Sequence, residues 1–123
     1  MLKNDLFTIH SLKETTSGHY ELVVNLDKDH DIFKGHFPGK PILPGVCQVE
    51  IIAELLEEIF EKSYRLEDAN MIKFQALVDP NENDTLYFGI DATIEGNRVK
   101  TDVTTKLGND EVSFKLKGNY IHE

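Results

Sequence analysis

Thirteen residues separate His36 from Glu50, two side chains that could pass protons to and from a substrate. Histidine takes up a proton near neutral pH, and a carboxyl kept neutral by its surroundings can deliver one, so the pair has the makings of a general base and a general acid. The stretch between them, FPGKPILPGVCQV, holds three of the chain's four prolines (Pro38, Pro41, Pro44) and two glycines, Gly39 and Gly45. Proline fixes φ and removes an N–H donor, whereas glycine lets backbone or ligand approach closely. Such a loop has little freedom left to lose, and it can hold His36 at a set place relative to whatever follows Pro44. Neither residue decides the matter alone. Loop histidines are often merely exposed, and Glu50, Glu54, Glu57 and Glu61 fall in a stripe about 60° wide that reads equally as a solvated face.

The element after Pro44 is a helix, running from Val46 to about Lys62. At about 100° per residue, Val46, Val49, Ile52, Ala53, Leu56, Ile59 and Phe60 share one broad apolar face. Ile51 and Leu55 point nearly opposite, which predicts a helix wrapped by sheet rather than one lying on a surface. Glu50 stands about 40° from the Val46 direction, at the edge of that face, where partial desolvation raises a carboxyl pKa. The helix start reads Leu43-Pro44-Gly45, without the Ser, Thr, Asp or Asn that usually caps one. Its first N–H groups are therefore free to meet an anion or a polarised carbonyl oxygen.

The remaining chain alternates with the period of strands. Residues 5–14 and HYELVVNL, joined by a turn at Thr15–Gly18, read as a hairpin in which Tyr20, Leu22, Val24 and Leu26 share one side. Met71–Val78, TLYFGIDATI, RVKTDVTTKL and EVSFKLKGNYI follow, separated by DPNEND, EGN and GND. Asn, Gly and Asp tolerate positive φ and suit hairpin turns. The predicted class is α+β: one long central helix embraced by a curled antiparallel sheet of five to six strands, the hot-dog arrangement, as a single domain over residues 1–123. One sheet and one helix leave an edge uncovered, which favours pairing of copies.

Composition narrows the function. A net charge of −9 over 123 residues argues against nucleic acid or an anionic membrane as partner. The single cysteine, Cys47, excludes an intramolecular disulfide and suits a reducing compartment. MLKNDLFTIH has no apolar run of signal-peptide length, and no segment approaches a membrane span, so a cytoplasmic location is expected. Cys47 reads as a small buried hydrophobe more readily than as an activated thiol. DHDIFKGH offers Asp29, His30, Asp31 and His36, in no recognised metal-ligand spacing. Neither metal nor other cofactor is expected.

The motif as a whole says more than its parts. Gly35-His36-Phe37-Pro38-Gly39, Pro41, Pro44-Gly45-Val46 and an acid fourteen residues after the histidine resemble the β-hydroxyacyl-[acyl-carrier-protein] dehydratases of fatty acid synthesis, in their Glu branch. The resemblance implies dehydration of a 3-hydroxyacyl thioester. His36 would remove the C2 proton, with its ring oriented by the Ile42 carbonyl. The Gly45 N–H would polarise the thioester carbonyl, and Glu50 would protonate or orient the departing hydroxyl. Val46, Ile42 and Phe37 would line the acyl site beside Gly45. It further implies a homodimer, or a trimer of dimers, in which histidine and acid come from different subunits, and an acyl carrier protein as partner. Since a carrier is acidic, docking would rest on Lys34 and Lys40 beside His36, with Lys73 and Arg65 as weaker candidates. Two departures stand out. Glu54 occupies a position that is usually Gln, where a like charge would raise the Glu50 pKa, and the Pro-His-Arg-Tyr-Pro segment of the housekeeping enzymes is missing. Short dehydratases of polyene-type or other specialised acyl pathways match at least as well. A hot-dog thioesterase, with Glu50 or an Asp activating water, and a non-catalytic acyl-binding module are the competing readings.

Overall fold

Strands that alternate apolar and polar side chains can bury one face only by curling round something apolar, and here that something is the helix. The computed structural model describes residues 1–35 and 39–123; His36, Phe37 and Pro38 lie outside the described residues. The strands are β1 (Phe7–Thr16), β2 (His19–Leu26), β3 (Arg65–Phe74), β4 (Thr85–Glu95), β5 (Arg98–Lys106) and β6 (Val112–Ile121). A short helix, α1 (Ile32–Gly35), and a long one, α2 (Gly45–Phe60), fall between β2 and β3. The six strands form one sheet in the order β1-β2-β4-β5-β6-β3, with every pairing antiparallel. This is the hot-dog fold.

The tight turns sit where their residues predict. β4 and β5 close at Glu95↔Arg98, across Gly96 at φ 66° and Asn97. The inner face of the sheet is apolar: Leu22, Val24 and Leu26 of β2, Leu86, Phe88 and Ile90 of β4, Val99 and Val103 of β5, and Leu116 and Tyr120 of β6 are all buried. Against them α2 places Ile51, Ile52, Leu55 and Leu56, none with any exposed surface. Burial of each such side chain is worth about 1.5–3 kcal/mol as an upper figure. Helix α2 ends on Glu61, in the left-handed region at φ 59°, whose N–H donates to the Glu57 carbonyl.

Strand β3 differs from the sequence reading, which began it at Met71 and carried it to Val78. It starts six residues earlier, at Arg65, and stops at Phe74. Two register shifts against β6, at Leu66/Asp68 and Ala69/Met71, break the alternation that reveals a strand. Gly118 of β6 permits this close approach, because a Cβ there would overlap the Asp68 carbonyl oxygen and the Ala69 backbone. Past Phe74 the backbone leaves the strand. Gln75 and Ala76 N–H both donate to the Ser113 carbonyl, and buried Val78 offers its carbonyl to the Leu43 N–H at 2.9 Å. The apolar run therefore continues as a brace for the loop before α2. β3 is left as one edge of the sheet and β1 as the other. Among the described residues no helix is long and apolar enough to cross a membrane.

Candidate active site at the start of the central helix

Pro44 occupies the position before the first helical residue, at φ −62° and ψ 147°, and no side chain caps the helix among the described residues. A proline ring has no hydroxyl or carboxylate to offer, so the first amides of α2 keep their donors and the positive end of the helix dipole stays open. Leu43, tied to Val78, also accepts a hydrogen bond from Gln48 Nε2 at 3.4 Å. The Phe74 ring lies over Gly45, where a Cβ would stand 2.6 Å from the nearest ring carbon. A side chain at position 45 would have to push that ring aside.

The burial of α2 corrects one expectation. Val46, read as part of the apolar face, is 77% exposed. Gln48 and Glu54, both polar, are buried instead, at 5% and 3%. The sheet wraps from the Ile51–Leu55 side, so the uncovered strip carries Val46, Glu50 and half-buried Glu57, within about 40° of one another. Ile51 and Leu55, which lay off the expected face, lie in the middle of the buried one. Phe74, 57% exposed, and Leu77, 72% exposed, add apolar surface to this end of the molecule. A helix apolar on several sides was legible in the sequence; which side stays open was not.

Glu50 thus stands on the open strip, one turn beyond the uncapped helix start. The residue is exposed, yet the surrounding protein still partly desolvates its carboxyl. Desolvation by that protein is the main reason its pKa is pushed up to about 7, and Glu54, a hydrogen-bonding and like-charged neighbour, is the next. The carboxyl therefore carries a proton through the mildly acidic range and can release it near neutrality. Glu54 is no member of a solvated stripe. Its two oxygens accept the Leu2 N–H at 2.9 Å and the Lys3 N–H at 2.7 Å. These donors lie about fifty residues away in the chain, beyond any periodicity argument.

Tyr120 of β6 was not anticipated. Fully buried, it donates from its hydroxyl to the Val49 carbonyl at 3.1 Å, and burial together with the nearby Glu50 charge holds its pKa well above that of a free tyrosine. It pins the helix turn that bears Glu50 to the sheet. The Cys47 thiol is pushed up by burial first and by Glu50 second, which makes it a poor nucleophile and fits the expected apolar role.

Other candidates divide. Ile42 is half-buried in the loop before α2. Lys34, on α1, and Lys40 are exposed, with Lys34 3.4 Å from Asp31. Lys73 adjoins Phe74, whereas Arg65 sits at the opposite end of β3, near Glu123, and is too remote to serve the helix mouth. His36 and Phe37 fall outside the described residues. His30 is engaged locally: its Nδ1 accepts the Ile32 N–H at 3.0 Å and its Nε2 lies 3.2 Å from Asp5. Among the described residues no three His, Cys, Asp or Glu side chains group as metal ligands would. An open helix end that can polarise a carbonyl oxygen, with a carboxyl titrating near neutrality one turn along, suits chemistry on an acyl group.

Residues 12–116 match the family model described as ApeI-like, ApeI dehydratase. A 3-hydroxyacyl-[acyl-carrier-protein] dehydratase FabZ of Thermoanaerobacter sp. (strain X514) is 32% identical over 106 residues, covering 80% of this chain and 73% of its own. The corresponding FabZ of Clostridium botulinum (strain Eklund 17B) is 31% identical over 70 residues, and there the match spans about half of each chain, 51% and 49%. Among solved structures, the dehydratase heterocomplex ApeI:P from Xenorhabdus doucetiae superposes with a TM-score of 0.75 at 23% identity, covering 93% of this chain and 96% of that one. A hypothetical thioesterase of Streptococcus pneumoniae TIGR4, solved with coenzyme A, superposes at 0.62 with 11% identity, covering 95% and 85%. At these identities the structural matches establish the fold.

Proposed function

The chain belongs to the ApeI-like dehydratase family, and from that premise we propose that it catalyses the reversible dehydration of a 3-hydroxyacyl thioester on acyl carrier protein to the trans-2-enoyl thioester, in fatty acid or polyene-type acyl chain synthesis. The observation that carries the reading is the uncapped start of α2 with Glu50 one turn along, a carboxyl whose pKa its surroundings push up to about 7. In this reading His36 takes the C2 proton, the electron pair forms the C2–C3 double bond, and the C3–O bond breaks. The hydroxyl leaves as water with the proton of Glu50. An α-proton becomes removable only if the thioester oxygen is stabilised as enolate character develops, which is the task given to the Gly45 N–H. Hydroxide leaves poorly unless protonated, which is the task given to Glu50. Ile42, Val46 and Phe37 line the acyl path beside Gly45. The chemistry calls for no cofactor, and the reading places it in the cytoplasm.

The proposed assembly is a homodimer or a trimer of dimers. The free edge of β3 and the open apolar side chains Val46, Phe74 and Leu77 support a second copy seated against this end of the molecule. His36 of one subunit would then serve Glu50 of the other.

Incubation with short and long 3-hydroxyacyl thioesters, followed for enoyl product, tests the activity. His36→Ala and Glu50→Gln are each expected to lower turnover by about 10²–10⁴-fold with the fold intact. Turnover like that of the unsubstituted protein in either variant removes the mechanism, and release of free thiol without enoyl product replaces it with thioester hydrolysis. Mixing the two inactive variants restores activity if the site is shared. No recovery after confirmed subunit exchange means that one chain supplies both residues.

A further inference from the structure

The outer face of the sheet holds an arrangement of charge that the proposed chemistry does not use. In the β3/β6 pairing, Phe74↔Phe114 and Ile72↔Leu116 share the inner face, so Lys73↔Lys115 and Met71↔Lys117 point outward. One strand further, Lys115 stands opposite Thr104, and Lys106 follows two residues along β5 on the same outer face. Lys73, Lys106 and Lys117 are exposed, and Lys115 is half-buried.

Like charges directly opposite on neighbouring strands repel, and Lys73↔Lys115 is such a pair. Among the described residues Lys73, Lys106 and Lys115 form no ion pair, and Lys117 is met only by Asp102, at 3.8 Å. Acidic residues outnumber basic ones 22 to 13 over the chain, yet here four lysines gather around the single acid Asp102. Solubility alone is served by interspersed signs. A repulsive cluster of one sign, on a chain of the other sign, suits an anionic partner that relieves it.

Extent and position say which kind. From β3 across β6 to β5 is two strand spacings, about 10 Å, over an open pleated face. That fits a row of carboxylates on another protein; a single small anion is held by donors that converge on it. Lys73 immediately precedes Phe74, whose ring lies over Gly45. The cluster therefore occupies the outer side of the strand end whose inner side covers the start of α2. A second copy seated at the β3 edge would extend the sheet sideways and leave this face open.

We propose that Lys73, Lys106, Lys115 and Lys117 form the main docking surface for an acidic protein, the acyl carrier that the dehydratase reading requires, beyond the loop lysines Lys34 and Lys40. This deepens that reading and rests on it.

The test adds apo acyl carrier protein to the ¹⁵N-labelled full chain. Amide signals around Thr104 and Lys115 are expected to move, with an affinity that falls as salt is raised. Lys106→Glu with Lys115→Glu is expected to weaken binding about tenfold or more, and to raise KM for carrier-bound 3-hydroxyacyl substrate by a similar factor at unchanged kcat. A small thioester mimic should keep its KM within about twofold. Should that variant fail to fold, Lys106→Gln with Lys115→Gln carries the same test at smaller amplitude. The inference is overturned if the folded variant binds carrier as tightly as the unsubstituted protein, or if the carrier moves signals only away from this face. It is overturned equally if the mimic loses as much as the carrier-bound substrate. Binding to phosphatidylglycerol vesicles and not to carrier, lost in the same variant, would replace the carrier with a membrane. If carrier binds here but no thioester yields enoyl product, the docking surface stands and the dehydratase reading falls.

Discussion

Helix α2 has two regions that differ in what encloses them. Through its middle, Ile51, Ile52, Leu55 and Leu56 meet the sheet's inner face with no surface left exposed. At its start, Val46 and Glu50 are exposed, and Phe74 and Leu77 present further apolar surface beside them. Both regions are rich in aliphatic residues, so hydrophobicity does not distinguish them. The difference is what their side chains contribute. The middle region stabilises the single chain, whereas the open end gains nothing from its apolar side chains until a substrate or second copy covers them. A site for acyl chemistry belongs at such an end, where a carboxyl can be half desolvated and still be reached.

The sharpest way to break the comparison is in the middle of the helix. Leu55→Ala is expected to cost about 2–5 kcal/mol in urea unfolding, since it removes a fully buried side chain and leaves a cavity. Val46→Ser is expected to stay within about 0.5 kcal/mol in the separated chain. A Val46→Ser loss that approaches the Leu55→Ala loss, and that grows with protein concentration, would show that a partner covers the open end in solution.

A smaller effect concerns the loop flank of the same end. Lys34→Glu with Lys40→Glu is expected to raise KM for carrier-bound substrate roughly tenfold, because a chain of net charge −9 meets an acidic carrier only through local positive charge. A small thioester mimic should be turned over nearly as before. Equal losses on both substrates would mean that these lysines support the loop and do not dock a partner.

The smallest effect is on stability against pH. The folded Glu50 pKa is raised from 4.5 to about 7. Between those values the folded chain holds a proton that the unfolded chain has released. Stability from this group is therefore present below pH 4.5 and is lost as pH rises towards 7. Urea midpoints measured across that window should fall with pH, and Glu50→Gln should remove that part of the slope. An identical slope in the variant would assign it to other groups.

Much of this was legible in the residues. Period-2 alternation and Gly, Asn and Asp turns mark β2, β4, β5 and β6 within a residue or two, because both signals are local to the strand that carries them. Leu43-Pro44-Gly45 announces an uncapped helix start for the same reason, and apolar residues on several sides of α2 announce that sheet encloses it. The rest was decided by contacts between distant segments. β3 was misplaced because its bulges depend on Gly118 in β6. Glu54 looked like one of four solvated glutamates because its partners, Leu2 and Lys3, lie about fifty residues earlier in the chain. Val46 looked buried because helical periodicity reveals how much of a helix is apolar, while the direction from which the sheet arrives settles which side it covers. Glu50 could be picked out as a carboxyl by sequence; its acidity near neutrality is a property of the neighbours the fold brings to it, since desolvation and like charge act through space and leave no trace in local order.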